Sequence, residues 1–197
     1  NISYWPGEHN HSLYLNAYAL HFLVECDKKG FEINKNNKSK LISLCTIKSS
    51  ANLTEKESMN EISNLVENGK QYISREKIYA LYVLALAGSP SKSSMNYCKM
   101  SKSKLHNSSQ YILAATYALC GDMKSFNELM PKQYSRENDN VWNWYHFSSP
   151  IRDKALVLNA LIESQPNHPQ VYELAKSLSK DLKNNPNLNT IEMGFSI

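Results

Sequence analysis

The sequence contains no G-x-S-x-G, no glycine-rich phosphate loop and no H-E-x-x-H. Three common routes to hydrolysis and phosphoryl transfer therefore have no local signature here. It has no adjacent pair of aspartates, the usual means of holding magnesium against a diphosphate; Glu137–Asn140 ("ENDN") is the nearest approach. Its four cysteines, Cys26, Cys45, Cys98 and Cys120, form no C-x-x-C and have no histidine at zinc-finger spacing. Cys26 and Cys120 fall within apolar helical patterns and read as small buried thiols; an oxidising compartment would allow a disulfide. The longest uncharged apolar segment, Leu13–Val24, includes Tyr14, Asn16, Tyr18 and His21. It falls short of the ~20 apolar residues of a membrane span, so no transmembrane segment is expected. No secretory signal pattern opens the chain. A net charge of +4 is too small to call for a nucleic-acid partner.

What is present is helical periodicity over most of the 197 residues. Ser12 is placed to cap a helix over Ser12–Lys29, with Gly30 after its basic end. Asn34–Ser39 reads as a polar linker, followed by a weaker apolar pattern over Lys40–Ile47. Thr54 and Glu57 form a T-x-x-E capping box for a helix carrying Met59, Ile62, Leu65 and Val66, stopped by Gly69. Ser74 caps the next helix, "IYALYVLALA", which is apolar nearly all round and so is expected to be buried nearly all round. Further helices are expected over Lys92–Met100, Ser109–Cys120, Met123–Met130 (capped by Asp122), Ile151–Ser164 (with Pro150 at its first position) and Gln170–Lys183. Thr190 reads as the cap of a last helix. Its two turns have little to hold them, which leads us to expect the domain to continue past residue 197.

The inner, buried helices are expected at Ala17–Val24, Tyr79–Ala87, Tyr111–Leu119 and Ala155–Leu161. Each places an Ala-rich apolar segment before a Gly or a polar turn, and a shorter polar helix follows. Alternation of this kind is what stacked helical hairpins produce, in an open solenoid or a closed α/α toroid. The unequal lengths argue against a regular 34-residue repeat array.

Few residues invite a chemical reading. His9 and His11, with His21, have no carboxylate or cysteine at a diagnostic spacing, and no metal site is expected. His21, inside an apolar helix, reads as a satisfied core histidine. His106, His146 and His168 are isolated. Glu8 and Asp153 are carboxylates without distinguishing context. The aromatic cluster Trp142–Phe147, "WNWYHF", reads as a plug for the end of a helical stack or as a binding platform. The basic stretch Lys28–Lys48 reads as compositional bias.

Several stretches resemble one family in order along the whole chain. Tyr4-Trp5-Pro6-Gly7, Tyr18-Ala19, His21-Phe22-Leu23, Glu25 and Gly30-Phe31 resemble a Y-W-P-G turn and its following helix in the thioester-domain region of bacterial α2-macroglobulins, relatives of complement proteins. "YALYVLALAGSPSKSSMNYCKMSKSKL", "YILAATYALCGDMKSFNEL", "SSPIRDKALVLNALI" and "LNTIEMGFSI" resemble later segments of that region. The resemblance implies an all-α fold, an α/α toroid of helical hairpins, incomplete because the domain continues beyond both ends of this chain. It implies part of a protease-trapping protein of the periplasm or cell surface, membrane-anchored through its parent. Its partners would be attacking proteases and the parent's other domains, with no cofactor and no turnover activity.

In the family a protease cleaves a bait region, and an internal thioester between a cysteine and a glutamine then reacts with the attacker's lysines. The C-x-E-Q thioester motif is absent here and is expected upstream. In complement relatives a loop in this region supplies a histidine that assists acyl transfer; His9 and His11 occupy that loop. Tyr14 and Asn16 stand where the family has Trp and Thr. Two other readings compete: an α/α-toroid enzyme acting on a polyprenyl or sugar substrate, and a helical-repeat scaffold that binds partners non-covalently.

Overall fold

The computed structural model describes residues 12–50, 66–67, 70–135, 149–185 and 187–196. The Y-W-P-G turn, His9, His11, the Thr54–Glu57 capping box, Glu137–Asn140 and Trp142–Phe147 lie outside the described residues, as do Glu8 and His146. Nine α-helices are described, so the all-α expectation holds. They fall into two units, residues 1–105 and 106–197.

In the first unit, α1 (Leu13–Lys28) packs on both α2 (Lys35–Ser50) and α3 (Arg75–Leu86), and α2 also meets α3 and α4 (Lys92–Met100). Ser12 caps α1 as expected, its Oγ accepting from the Leu15 amide at 3.3 Å. The Asn16 side chain, fully buried, donates to the Ser12 carbonyl at 2.8 Å. That bond satisfies an amide that would otherwise be costly in an apolar helix. Ser74 accepts from the Glu76 amide and starts α3. Ile78 through Leu84 are all at most 1% exposed, so α3 is the centre of this unit. Burying each large apolar side chain there contributes roughly 1.5–3 kcal/mol.

Three expectations need correction. The segment assigned to a linker at Asn34–Ser39 is mostly the first turns of α2. Asn34 starts it, its Oδ1 accepting from the Asn37 amide at 3.0 Å. A narrow stripe at every fourth residue, Leu41, Cys45 and Ser49, then holds it to the unit. Val66, assigned to a helix, belongs to β1 (Val66–Glu67), which pairs antiparallel with β2 (Lys70–Gln71) in the register Val66 to Gln71 and Glu67 to Lys70. Finally, Ala17–Val24, expected on an inner, buried helix, is buried along one stripe only. Tyr14, Ala17, Leu20, His21 and Val24 face its neighbours, whereas Tyr18 and Phe22 are 46% and 64% exposed. One stripe of the helix is taken by α2 and α3, and residues 100° away from it look outward.

The second unit is organised on α5 (Asn107–Leu119) and α7 (Pro150–Ser164). These two pack together; α6 (Met123–Leu129) lies on α5, and both α8 (Pro169–Asn184) and α9 (Thr190–Ser196) lie on α7. Tyr111–Tyr117 of α5 are buried throughout, as are Ala155–Val157, Ala160 and Leu161 of α7. The α5–α6 connection uses two residues twice over. Gly121 sits at φ +79° and donates to the Ala118 carbonyl, while the Asp122 amide reaches back to Tyr117 at 2.9 Å. This double closure needs a left-handed residue, which glycine adopts without strain. Asp122 then caps α6, its carboxylate accepting from the Ser125 amide at 2.9 Å and hydroxyl at 2.7 Å. Gly88 closes α3 in the same way at φ +75°.

The last helix is better held than its length suggests. Leu188 and Phe195 pack against Ile151, Ala155 and Leu178. Its cap is Asn189 rather than Thr190. Asn189 Oδ1 accepts from the amides of Ile191 and Glu192 at 3.0 and 2.9 Å, and the Glu192 carboxylate accepts from the Asn189 amide at 3.0 Å. This is a reciprocal capping box, N-x-x-E.

Candidate functional site

Among the described residues each unit holds a buried polar centre on segments that carry the family resemblance. In the first unit it is His21, projecting from α1 toward α3. Its Nδ1 and the Tyr79 hydroxyl are hydrogen-bonded at 2.9 Å. Its ring meets the edges of Tyr79 and Tyr82 with both centroids 5.9 Å away. Tyr14 joins the same cluster, 5.8 Å from Tyr79. Nε2 lies 3.9 Å from the Glu25 carboxylate, which itself pairs with Lys28 at 2.9 Å. His21 is thus the satisfied core histidine the sequence indicated, and it clamps α1 to α3.

In the second unit three consecutive charged residues at the start of α7, Arg152, Asp153 and Lys154, are all less than 10% exposed. Ser149 caps the helix by accepting from the Arg152 amide, so its first turn is fixed at the surface of the unit's core. Arg152 donates to Asp153 at 2.8 Å, and its guanidinium lies over the Phe195 ring of α9 at 5.3 Å. Lys154 donates to Asp181 and Ser177 of α8 at 2.5 and 2.7 Å and sits 5.8 Å from the Tyr134 ring. Buried charges are tolerable only with partners of this kind. Asp153, a carboxylate without context in the sequence, is therefore ion-paired with its neighbour Arg152, while Arg152 and Lys154 make the contacts from α7 to α9 and α8.

A neighbouring node fixes the chain that follows α6. Gln170, near the start of α8, donates to the carbonyls of Pro131 and Lys132 at 3.0 and 3.1 Å and accepts from the Tyr111 hydroxyl. Asn107 supports the same segment by accepting from the Ser135 amide at 3.0 Å. Burial pushes the Tyr111 hydroxyl up to about 12, against the pull of its bond to Gln170. His106 and His168, read from sequence as isolated, instead occupy the positions just before α5 and α8. His168 Nδ1 accepts from the Gln170 amide at 3.3 Å and its ring meets Phe126 edge-on. Burial lowers its pKa.

The thiols need one correction. Cys45 and Cys98 are fully buried, and burial pushes each up to about 11. Cys26 and Cys120, expected to be buried, are partly exposed because they lie in the last turn of α1 and just past the end of α5. All four are free thiols. Among the described residues no three His, Cys, Asp or Glu side chains gather as a metal site, and no helix is long and apolar enough to cross a membrane.

No protein-family model and no curated protein matches the chain. Solved structures do. Escherichia coli α2-macroglobulin activated by porcine elastase superposes with a TM-score of 0.75 at 18% identity, covering 98% of this chain and 17% of that one. This is the fold of a segment of bacterial α2-macroglobulins. The native E. coli α2-macroglobulin region from domain MG7 to the C-terminus gives 0.73 at 18% identity, over 98% of this chain and 30% of that one. Salmonella α2-macroglobulin reacted with methylamine gives 0.71 at 20% identity, over 98% and 12%. The chain therefore spans less than a third of the length of each α2-macroglobulin structure it resembles.

Proposed function

We propose that this chain is part of the thioester-type domain of a bacterial α2-macroglobulin-like protease trap. The observation that carries the reading is the superposition of nearly the whole chain on α2-macroglobulins, one of them activated by a protease and another reacted with methylamine. The buried His21 and Arg152–Asp153 centres fall in the same segments that carry the sequence resemblance. In this reading the helices form part of an α/α toroid that continues beyond both ends of the chain. The parent protein resides in the periplasm or at the cell surface, and its partners are attacking proteases and its own remaining domains. This chain is not an enzyme. Its polar centres are consumed in mutual pairing and serve as struts between helices, while His9 and His11 stand as candidates for assisting acyl transfer.

A thioester needs a thiol and a glutamine amide in one motif, and none of the four cysteines precedes Glu-Gln. Methylamine opens such thioesters, adding its mass and releasing a thiol. Treated with methylamine, this chain should keep its mass and the four thiols that titrate in denaturant. A methylamine-dependent mass gain of the native chain would overturn the assignment of the reactive centre to another segment. Reading the parent gene upstream for C-x-E-Q then decides whether the trap is covalent.

A further inference from the structure

From Lys77 to Leu105 the chain has five lysines, no arginine and no Asp or Glu. Lys92, Lys102 and Lys104 are exposed, and Lys77 and Lys99 are half-buried. Along α4 and the 3-10 turn Lys102–Lys104 that follows it, the exposed residues are Lys92, Ser93, Asn96, Tyr97, Met100, Lys102, Ser103 and Lys104, while Ser94, Met95 and Cys98 are buried. Lys77 of α3 reaches over the Tyr97 ring, 5.2 Å from its centroid. The 3-10 turn is tied back to the start of α3 by the Ile73 amide donating to the Lys104 carbonyl at 2.8 Å. Two apolar tips protrude among these cations: Met100 is 88% exposed and Tyr97 56%. Glu76, the preceding acid, lies between Arg75 and Lys77 in sequence.

We propose that this edge of the first unit docks on an anionic phospholipid surface. Complementary charge selects the sign of the partner, and the residue types select its kind. Lysine is a point charge on a flexible stem, suited to a diffuse layer of headgroups, whereas planar two-point recognition of a carboxylate calls for arginine, which this stretch lacks. A methionine and a tyrosine projecting among lysines match the interfacial zone of a bilayer, where apolar groups enter and ammonium groups stay at the headgroups. The edge is an outward helix face continued by a 3-10 turn, a geometry for lying on a surface.

The test is flotation of the 197-residue chain with phosphatidylcholine vesicles and with vesicles containing about 30% phosphatidylglycerol. Binding is expected only to the anionic vesicles, and it should weaken sharply as ionic strength rises from about 0.05 to about 0.5 M. Replacing Lys102 and Lys104 together by Gln should weaken it roughly 25-fold, since each lysine near such a surface contributes about a factor of five. Met100→Ser should weaken it further without changing its salt dependence. Circular dichroism of the variants checks that these exposed changes leave the helices intact. Equal binding to neutral vesicles, no binding to either, or wild-type affinity in the lysine variant would overturn the proposal. So would tighter, lysine-dependent binding to polyglutamate than to vesicles, which would make the partner an acidic polypeptide.

Discussion

The Nδ1 of His21 and the hydroxyl of Tyr79 are 2.9 Å apart across the α1–α3 contact, and both side chains are buried. A hydrogen bond in that position does more for specificity than for net energy. Either group alone in the apolar interior would be costly, so the pair holds the two helices in one register.

Tyr79→Phe should therefore destabilise the protein by about 1–3 kcal/mol, the cost of a buried group left without its partner. Urea unfolding followed by circular dichroism measures it. A change within about 0.5 kcal/mol, the range of ordinary surface substitutions, would count against a clamp at this position.

Asp153→Asn removes one half of a charge pair whose side chains are only 6% and 10% exposed. The loss should be about 3–5 kcal/mol, because the Arg152 guanidinium loses its opposite charge inside the unit. The double change Arg152→Met with Asp153→Leu should recover much of that. A double variant no more stable than Asp153→Asn would mean that the cluster is more than a paired strut.

Thiol chemistry gives a third outcome. Native Cys45 and Cys98 should resist alkylation at about pH 8, while Cys26 and Cys120 react and all four react in denaturant. The same burial makes stability depend on alkaline pH. Unfolded thiols ionise near 9.0, but these two hold their protons to about 11, so between those values the native chain binds more protons than the unfolded one. The contribution is fully present below pH 9.0 and is lost as pH rises through 11. Tyr111, raised from 10.0 to about 12, extends the same trend. Flat stability across this window would show that the thiols are not buried as described.

Local signals were legible in the sequence because their physics is local. Ser12, Ser74 and Asp122 each cap the helix they precede, Pro150 opens α7, and Gly88 and Gly121 each close a helix. His21 was legible because a histidine inside an apolar run must find a partner, although Tyr79, 58 residues away, was not. The polar first turns of α2 carry no apolar period, and Asn34 is the local cue to its start. Asn189 and Glu192 form a local box one residue before the Thr190 that the pattern suggests, and the support of α9 by Ile151 and Leu178 is tertiary. The pairing of Lys154 with Asp181 likewise depends on how α8 returns along α7. The identity of the fold came from motif order, which composition and periodicity alone did not specify.

The most direct test of the protease-trap reading uses the parent protein that carries this chain. It is mixed with an equimolar protease, and the mixture is separated by size with both partners followed. The account predicts that the parent is cleaved at a limited site and that the protease then elutes with it as one complex, covalently if an upstream C-x-E-Q is present. A protease that elutes free, with the parent either untouched or digested to small peptides, would contradict it.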